Sequence, residues 1–123
     1  MSEVKTYLQA LMAIEEAPLK LDAGQVVFST GDAGHQMFIV RTGTVELRIG
    51  DTVVETVGQG GIFGELALVD SSPRSATAIA GEDCTLVMVE QRSFNDLLRR
   101  VPGLGLEIMK VMASRLRRAS QKE

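Results

Sequence analysis

The middle of the chain carries a pattern of apolar and polar positions that is typical of β-strands. Residues 37–40 are a short apolar run, which predicts a buried strand, and residues 45–49 alternate between apolar and polar side chains. Gly50-Asp51 suits a two-residue hairpin turn, so residues 52–57 are predicted to return as the neighbouring strand. This segment therefore predicts a buried strand followed by an antiparallel hairpin.

Shorter candidate strands precede and follow the hairpin. Residues 20–24 and 25–30 come before it, and residues 75–80 and 84–89 come after it. Ten of the 12 glycines lie between residues 24 and 81 and separate runs of about five to eight residues. Many short strands with turn signals between them favour a β-sandwich or a barrel.

The two ends of the chain show the period of amphipathic helices. Near the start, five apolar side chains fall on one face of a helix that ends before Pro18: Val4, Tyr7, Leu8, Leu11 and Met12. Near the end, Ser93 is a candidate N-cap, with Asp96 placed to favour the helix dipole, and this helix stops at Pro102-Gly103. A last helix carries an apolar stripe formed by Leu104, Ile108, Met112 and Leu116.

These elements predict a mainly β protein of the α+β class. It is predicted to be one domain over residues 1–123, with an N-terminal helix at 1–16, a β-roll or jelly-roll barrel at 17–90 and two C-terminal helices at 91–123. A short helical turn at residues 65–68 interrupts the β region. A chain of this length can build one hydrophobic core without disulfides.

The composition is that of an ordinary soluble globular protein, with 45% hydrophobic and 24% charged residues. No apolar run approaches the roughly 18 residues that span a bilayer, and the first residues lack the pattern of a signal peptide. Cys84 is the single cysteine, which excludes an internal disulfide and a cysteine metal cluster. We therefore expect a cytoplasmic protein without membrane contact.

Charge is distributed unevenly along the chain. Residues 1–90 contain 5 lysines and arginines against 13 aspartates and glutamates, whereas residues 91–123 contain 8 against 3. A basic segment can contact nucleic acid. This one has no interleaved aromatic residues and has the pattern of an amphipathic helix, so a solvated helix face is the favoured interpretation.

The chemistry of the chain is concentrated in residues 60–77. Three glycines in this segment allow tight turns that bring backbone N–H groups close to a ligand. Arg74 offers a guanidinium that can donate to two phosphate oxygens at once. Glu65 would repel a phosphate, so it needs a different partner, such as a sugar hydroxyl. Residues 75–80 alternate like a strand with a hydroxyl-bearing face.

Two runs in this segment resemble the phosphate-binding cassette of the cyclic-nucleotide-binding domain family. They are Phe63-Gly64-Glu65-Leu66-Ala67-Leu68 and, after a gap of four residues, Pro73-Arg74-Ser75-Ala76-Thr77. Glycines at positions 24, 31 and 43 also fall where the β-roll of that family turns. The family includes the bacterial catabolite activator protein, the regulatory subunits of protein kinase A and cyclic-nucleotide-gated channels.

The resemblance implies that the chain binds a cyclic nucleotide. Arg74 would hold the cyclic phosphate, and Glu65 would accept a hydrogen bond from the ribose 2′-hydroxyl. Backbone N–H groups of Gly64, Glu65 and Ser75 and the Ser75 hydroxyl would complete the phosphate shell. The predicted ligand contacts are Phe63, Gly64, Glu65, Leu66, Ala67, Pro73, Arg74, Ser75, Ala76, Thr77, Arg117, Arg118 and Ser120.

In this family the last helix closes over the purine, and its position reports whether the site is occupied. Here that helix would cover residues 104–120, with a hinge at Pro102-Gly103. The resemblance therefore implies a regulatory module that signals to a protein effector or to an attached domain. The C-terminal helix is also a candidate surface for a homodimer.

The residues around the purine leave the ligand open between cAMP and cGMP. Ser75 follows the phosphate arginine, as in the bacterial cAMP-responsive regulators, and this points to cAMP, although its hydroxyl also suits cGMP. Ala119 stands where the catabolite activator has a purine-contacting threonine, and Ser120 matches the serine beside it. Arg117 or Arg118 would stack on the purine or would be a solvated charge.

Other functions fit the sequence less well. A metal-dependent cupin usually needs two or three histidines, and His35 is the only one in the chain, so no metal or other cofactor is expected. Hydrolysis of the phosphate would need a bound metal or a general base. The helix-turn-helix module of the bacterial regulators has no counterpart here, so DNA contact by this chain alone is not expected. The remaining alternative is a degenerate domain of the same fold that acts only as a protein-interaction scaffold.

Overall fold

A computed structural model of the protein describes residues 18–121, and side chains as far as residue 118. The predicted N-terminal helix at residues 1–16 lies outside this range. Within it the chain forms eight strands, which are β1 (Leu19–Leu21), β2 (Val26–Phe28), β3 (Gln36–Thr42), β4 (Val45–Ile49), β5 (Thr52–Val57), β6 (Ile62–Phe63), β7 (Thr77–Ala80) and β8 (Cys84–Glu90). It also forms three helices, which are α1 (Leu66–Asp70), α2 (Gln91–Arg100) and α3 (Leu104–Gln121).

The strands form two four-stranded antiparallel sheets. The strand order is β1-β8-β3-β6 in one sheet and β2-β7-β4-β5 in the other. Helix α1 follows β6 along the chain, while α2 and α3 follow β8. The predicted α+β class is confirmed in this form, with a short helix inside the β region and two helices after it.

The central strands agree closely with the prediction from the apolar pattern. Strands β4 and β5 have the predicted bounds, and the pairing of Ile49 with Thr52 leaves Gly50-Asp51 as a two-residue turn. Strand β3 contains the predicted apolar run 37–40, and all four of its side chains are buried. Strands β1, β2 and β7 are shorter than predicted, and β8 extends one residue further, to Glu90. Residues 22–24 of the first predicted strand belong instead to a turn in which the Gln25 amide donates to the Asp22 carbonyl at 3.0 Å.

A β-bulge distorts the hairpin between β4 and β5. Leu47 pairs with Glu55 while Arg48 pairs with Val53, so Val54 is the extra residue of the bulge. A bulge bends its strand and re-aims the side chains beside it. Both Val54 and Glu55 consequently line the cavity described below.

The predicted N-cap of the first C-terminal helix is wrong. Helix α2 begins at Gln91, Glu90 occupies the N-cap position without a side-chain capping bond, and Ser93 lies inside the helix. Strand β8 stays paired with β3 as far as Glu90, so the end of the sheet ladder decides where the helix starts. The helix then buries Phe94 and Leu97.

Pro102-Gly103 separates the two C-terminal helices, as predicted. Gly103 has a φ angle of +88°, a left-handed conformation that glycine adopts without steric cost. Helix α3 begins at the next residue, Leu104. No helix within residues 18–121 combines the length and the apolar content that crossing a bilayer requires.

Two clusters of buried apolar side chains form the core. One joins residues from both sheets, including Phe38, Val45 and Phe63. The other joins β3 and β8 to the three helices. The predicted stripe of α3 is confirmed at Leu104 and Ile108, which are buried, and at Met112, which packs against this second cluster. Leu116 is 70% exposed because the last turns of α3 extend beyond the cluster.

Candidate functional site

The cassette turns sharply at Gly64, between β6 and α1. Gly64 has a φ angle of +79°. A Cβ atom at this position would lie 2.8 Å from Nη1 of Arg74 and 3.4 Å from a ring carbon of Phe28. Glycine is therefore required here both by the backbone conformation and by the close approach of the Arg74 side chain.

Arg74 is buried, with 6% of its surface exposed. Its Nη1 donates to the Gly64 carbonyl at 2.9 Å, and its Nη2 donates to the Gln36 carbonyl at 2.8 Å. The guanidinium carbon lies 4.1 Å from the centre of the Phe28 ring, within the range of a cation–π contact. Gly34 also approaches closely, since a Cβ atom there would lie 2.4 Å from Arg74 Nε. These contacts fix the orientation of the guanidinium.

The Arg74 guanidinium keeps donors that no residue in the described part of the chain uses. Its Nε is buried and has no hydrogen-bond partner within the described part of the chain. Each Nη carries two N–H groups, of which the contacts above use one. The pKa of Arg74 is lowered from its ordinary value, because the effect of burial outweighs the opposing effect of the negative charges of Glu65 and Asp32. A buried cation with unpaired donors is suited to an anionic ligand.

Glu65 is also buried, and its partner comes from helix α3. Arg115 donates through Nη1 to Glu65 Oε1 and through Nη2 to the Ile62 carbonyl, the latter at 2.5 Å. The same guanidinium donates through Nε to Glu55 Oε1 at 2.8 Å and through Nη2 to Glu55 Oε2 at 3.1 Å. One arginine thus links α3 to the cassette and to strand β5.

The charges around Arg115 reinforce one another. Burial by itself lowers the pKa of Arg115, but the hydrogen bonds and negative charges of Glu55 and Glu65 outweigh burial, so the pKa is raised. Arg118 adds a contact, because its Nη2 donates to Glu55 Oε1 at 3.2 Å. Two carboxylates and two guanidiniums therefore form one connected network.

These groups line a cavity of about 730 Å³, which is within the size range of small-molecule sites. The charged side chains of its wall are Glu55, Glu65, Arg74, Arg115 and Arg118. The β4–β5 hairpin and helix α3 supply most of the apolar wall, through Leu47, Ile49, Val54, Met109, Met112 and Leu116. The cavity thus combines charged groups with an apolar surface.

Most of the predicted ligand contacts line this cavity, namely Gly64, Glu65, Leu66, Ala67, Pro73, Arg74, Ser75, Ala76 and Arg118. Three lie elsewhere. Phe63 is fully buried in the core, the Thr77 hydroxyl is 3.1 Å from the Thr30 hydroxyl, and Arg117 is exposed and outside the cavity wall. The side chain of Ser120 lies outside the described side chains.

The sequence profile of the cyclic nucleotide-binding domain matches residues 18–101, which is most of the chain and includes both runs of the cassette. The chain belongs to this family. In this cyclic nucleotide-binding domain most of the cassette residues line the cavity. Helix α3, which also lines the cavity, lies beyond the matched residues.

Individual relatives support the same assignment. The chain is 34% identical over 101 residues to the cyclic AMP receptor protein of Thermus thermophilus. This match covers 78% of this chain and 47% of that protein. It is 43% identical over 75 residues to the cAMP-dependent protein kinase regulatory subunit of Eremothecium gossypii. That match covers 61% of this chain and 16% of the regulatory subunit. The chain thus spans less than half the length of either relative.

A solved structure of similar size is also similar. It comes from a study of a cyclic-GMP-dependent signalling pathway that regulates bacterial phytopathogenesis, and it matches with a TM-score of 0.76 and 30% sequence identity. The match covers 94% of both chains. The fold of this cyclic nucleotide-binding domain is therefore shared almost end to end with that chain.

Two charged residues of the cavity in this cyclic nucleotide-binding domain, Arg115 on α3 and Glu55 on β5, were not among the predicted ligand contacts. Arg115 lies seven residues after the buried Ile108, so the helical period places it on the core-facing side, whereas Arg117 falls on the opposite side. Glu55 lies two residues before the buried Val57, which is an inward position in an alternating strand. Both signals are present in the sequence, but neither shows that the two side chains meet.

Proposed function

We propose that this chain is a regulatory sensor module that binds a cyclic nucleotide, cAMP, and signals occupancy through helix α3. The observation that carries the proposal is Arg74, a buried cation that lines the cavity and whose Nε has no partner among the described residues. A buried donor without a partner is unfavourable. A phosphate in the cavity supplies oxygen acceptors to this guanidinium.

The charge of the cavity fits a ligand with one negative charge. Three arginines and two glutamates line the wall, which gives a net charge of one positive unit: Arg74, Arg115, Arg118, Glu55 and Glu65. A cyclic phosphate is a diester and carries one negative charge. Backbone N–H groups of Gly64 and Ser75 and the Ser75 hydroxyl are the further donors that we assign to it, since both residues line the same cavity.

Glu65 is the acceptor that we assign to the ribose. Arg115 is bonded to its Oε1, and Oε2 is the atom that we assign to the 2′-hydroxyl. The negative charge of Glu65 is balanced by Arg115, which allows a carboxylate to lie in the same cavity as a phosphate. The apolar part of the wall, which includes Val54 and Met112, is the surface that we assign to the purine.

Helix α3 is the element that carries the signal. It contributes Met109, Met112, Arg115 and Arg118 to the cavity, so a bound ligand touches the cassette and the helix together. Such a ligand stabilises only the arrangement in which both parts are in place, and its differential affinity sets the size of the shift. Pro102-Gly103 is the hinge, because the helical backbone is interrupted there.

Two observations favour cAMP as the nucleotide. Ser75, rather than threonine, follows the phosphate arginine. The two curated relatives described above carry cAMP in their names. The solved structure of similar size comes from work on cyclic GMP, and for this reason cGMP is the competitor that the binding experiment must include.

The proposal is binding without turnover. Both carboxylates of the cavity are held by hydrogen bonds from Arg115, and the other oxygen of Glu65 is the one that we assign to the ribose, so we assign neither carboxylate to proton transfer. Within residues 18–121, no group of three or more His, Cys, Asp and Glu side chains is arranged to hold a metal ion. The output is therefore assigned to a protein effector or to an attached domain.

Thermal unfolding in the presence of cAMP or cGMP tests this function. A ligand at about 100 times its dissociation constant adds roughly 2.7 kcal/mol to the free energy of unfolding, so the melting temperature rises. Mass spectrometry of small molecules released from the purified protein then identifies a nucleotide that is already bound. No stabilisation by either nucleotide, in protein freed of bound ligand, contradicts the proposal and supports the protein-interaction scaffold instead.

A further inference from the structure

Glu55 is a partly buried carboxylate in the cavity, and the cassette pattern provides no role for it. It lies on β5, outside the cassette, and 18% of its side chain is exposed. The bulge at Val54 places both residues in the cavity wall. Glu55 accepts hydrogen bonds from Arg115 at 2.8 and 3.1 Å and from Arg118 at 3.2 Å.

Without Glu55, the cavity would contain too much positive charge for a singly charged ligand. The remaining side chains would be three arginines and one glutamate, a net charge of two positive units. Glu55 lowers this value to one. It also engages the Nε and Nη2 donors of Arg115, which keeps this guanidinium bonded to the protein rather than free for a second phosphate charge.

We propose that Glu55 is a specificity-determining residue that restricts the cavity to singly charged cyclic phosphodiesters and excludes 5′-nucleotides. This inference rests on the proposed function. A cyclic nucleotide carries one negative charge, whereas the phosphate monoester of a 5′-nucleotide has a second pKa near 6 and carries about two negative charges at pH 8. In a partly buried cavity the second charge has no counter-ion and is therefore rejected.

Glu55→Gln tests the inference because it removes one negative charge and keeps the size of the side chain. Isothermal titration at pH 8 with cAMP and with 5′-AMP gives the ratio of the two affinities. We expect the preference for cAMP to fall by about tenfold, because Arg115 and one net positive charge become available to the monoester. If the role of Glu55 were purely structural, the variant would lower the affinities for cAMP and for 5′-AMP by the same factor and would leave their ratio unchanged.

Glu46→Gln is the matched control. Glu46 and Arg48 both lie on β4, the neighbour of β5, and form an ion pair at 2.5 Å. Glu46 does not line the cavity. This variant changes the charge of the whole protein by the same amount as Glu55→Gln. We expect its preference for cAMP to equal that of the wild-type protein.

Arg118→Gln provides the converse measurement and decides the question if Glu55→Gln does not fold. It removes one positive charge from the same network at a side chain that is 45% exposed, so we expect the preference for cAMP to rise about threefold. If Glu55→Gln leaves the ratio of the cAMP and 5′-AMP affinities unchanged, the inference is overturned, although cAMP binding itself stands. If only Arg118→Gln folds, an unchanged ratio in that variant overturns the inference in the same way. If the wild-type protein binds neither ligand, the proposed function fails as well.

Discussion

The guanidinium of Arg115 donates a hydrogen bond to the carboxylate of Glu65, fifty residues earlier in the chain. Glu65 is the cassette residue that we assign to the ribose, and Arg115 belongs to the helix that we assign to the signal. A ligand that contacts Glu65 therefore acts on a side chain that already holds α3. The proposed binding site and the helix that we assign to the signal therefore share one ion pair.

Replacing Arg115 with glutamine is expected to loosen α3. Glu65 would remain buried without its counter-ion and Glu55 would keep only Arg118, so we expect the free energy of unfolding to fall by about 2–4 kcal/mol. Urea unfolding measures this change, and hydrogen exchange of the α3 amides reports whether the helix opens more often. Arg117→Gln, on the exposed side of the same helix, is the control. Equal exchange in the two variants would contradict the role of Arg115.

Arg74→Leu is expected to lower the affinity for cAMP by on the order of a hundredfold. Loss of one member of a desolvated charge pair typically costs about 2–5 kcal/mol, and Arg74 is the cation that we assign to the phosphate. Its bonds to the Gly64 and Gln36 carbonyls are lost as well, so urea unfolding must be measured beside the titration. Arg48→Leu removes an arginine outside the cavity wall, and its affinity should stay at the wild-type value.

Glu65→Gln is expected to lower the affinity for cAMP more than the affinity for 2′-deoxy-cAMP. An amide still offers one acceptor, but the charge that strengthens the hydrogen bond to the hydroxyl is lost. Competition binding with cAMP and 2′-deoxy-cAMP gives the two affinities in the wild-type protein and in the variant. If the wild-type protein binds both forms equally well, the assignment of Glu65 to the ribose is wrong.

Gly34→Ala is expected to disrupt the site by a steric clash with the Arg74 side chain. Gly34 does not have a positive φ angle, but its Cβ atom would lie 2.4 Å from Arg74 Nε and would displace the guanidinium. We expect a loss of cAMP affinity of about tenfold or more, since misplaced charges lose most of their interaction with the ligand. Gly58→Ala is the matched control, because nothing lies within 4 Å of its added Cβ atom. Equal titration curves for the two variants would rule out this contact.

Cys84 is expected to resist alkylation in the folded protein. Its thiol is buried, and burial, together with the charge of Asp83, raises its pKa, so little thiolate is present at pH 8. Iodoacetamide should therefore label Cys84 much more slowly in buffer than in 6 M urea. The stability contributed by the neutral thiol is present at neutral pH and is lost as the pH rises through the raised pKa of the folded state.

The local pattern was sufficient to predict most of the elements, and the N-cap of α2 shows where it fails. Strands β4 and β5 were predicted to the residue because alternation and a two-residue turn are local signals. The N-cap at Ser93 was wrong because the ladder between β8 and β3 continues to Glu90, and this pairing involves residues more than fifty positions away. Local capping preference is too weak to override such a ladder.

The sequence by itself determined the α+β class, the hairpin, the break at Pro102-Gly103 and the cassette with Arg74 and Glu65, because each depends on residues that are close together in the chain. Only the tertiary structure decided which arginine of α3 meets Glu65 and that Glu55 joins it. Those contacts depend on where a helix packs against two sheets and on a bulge in β5. Packing of distant elements is set by the whole core, and no single segment encodes it.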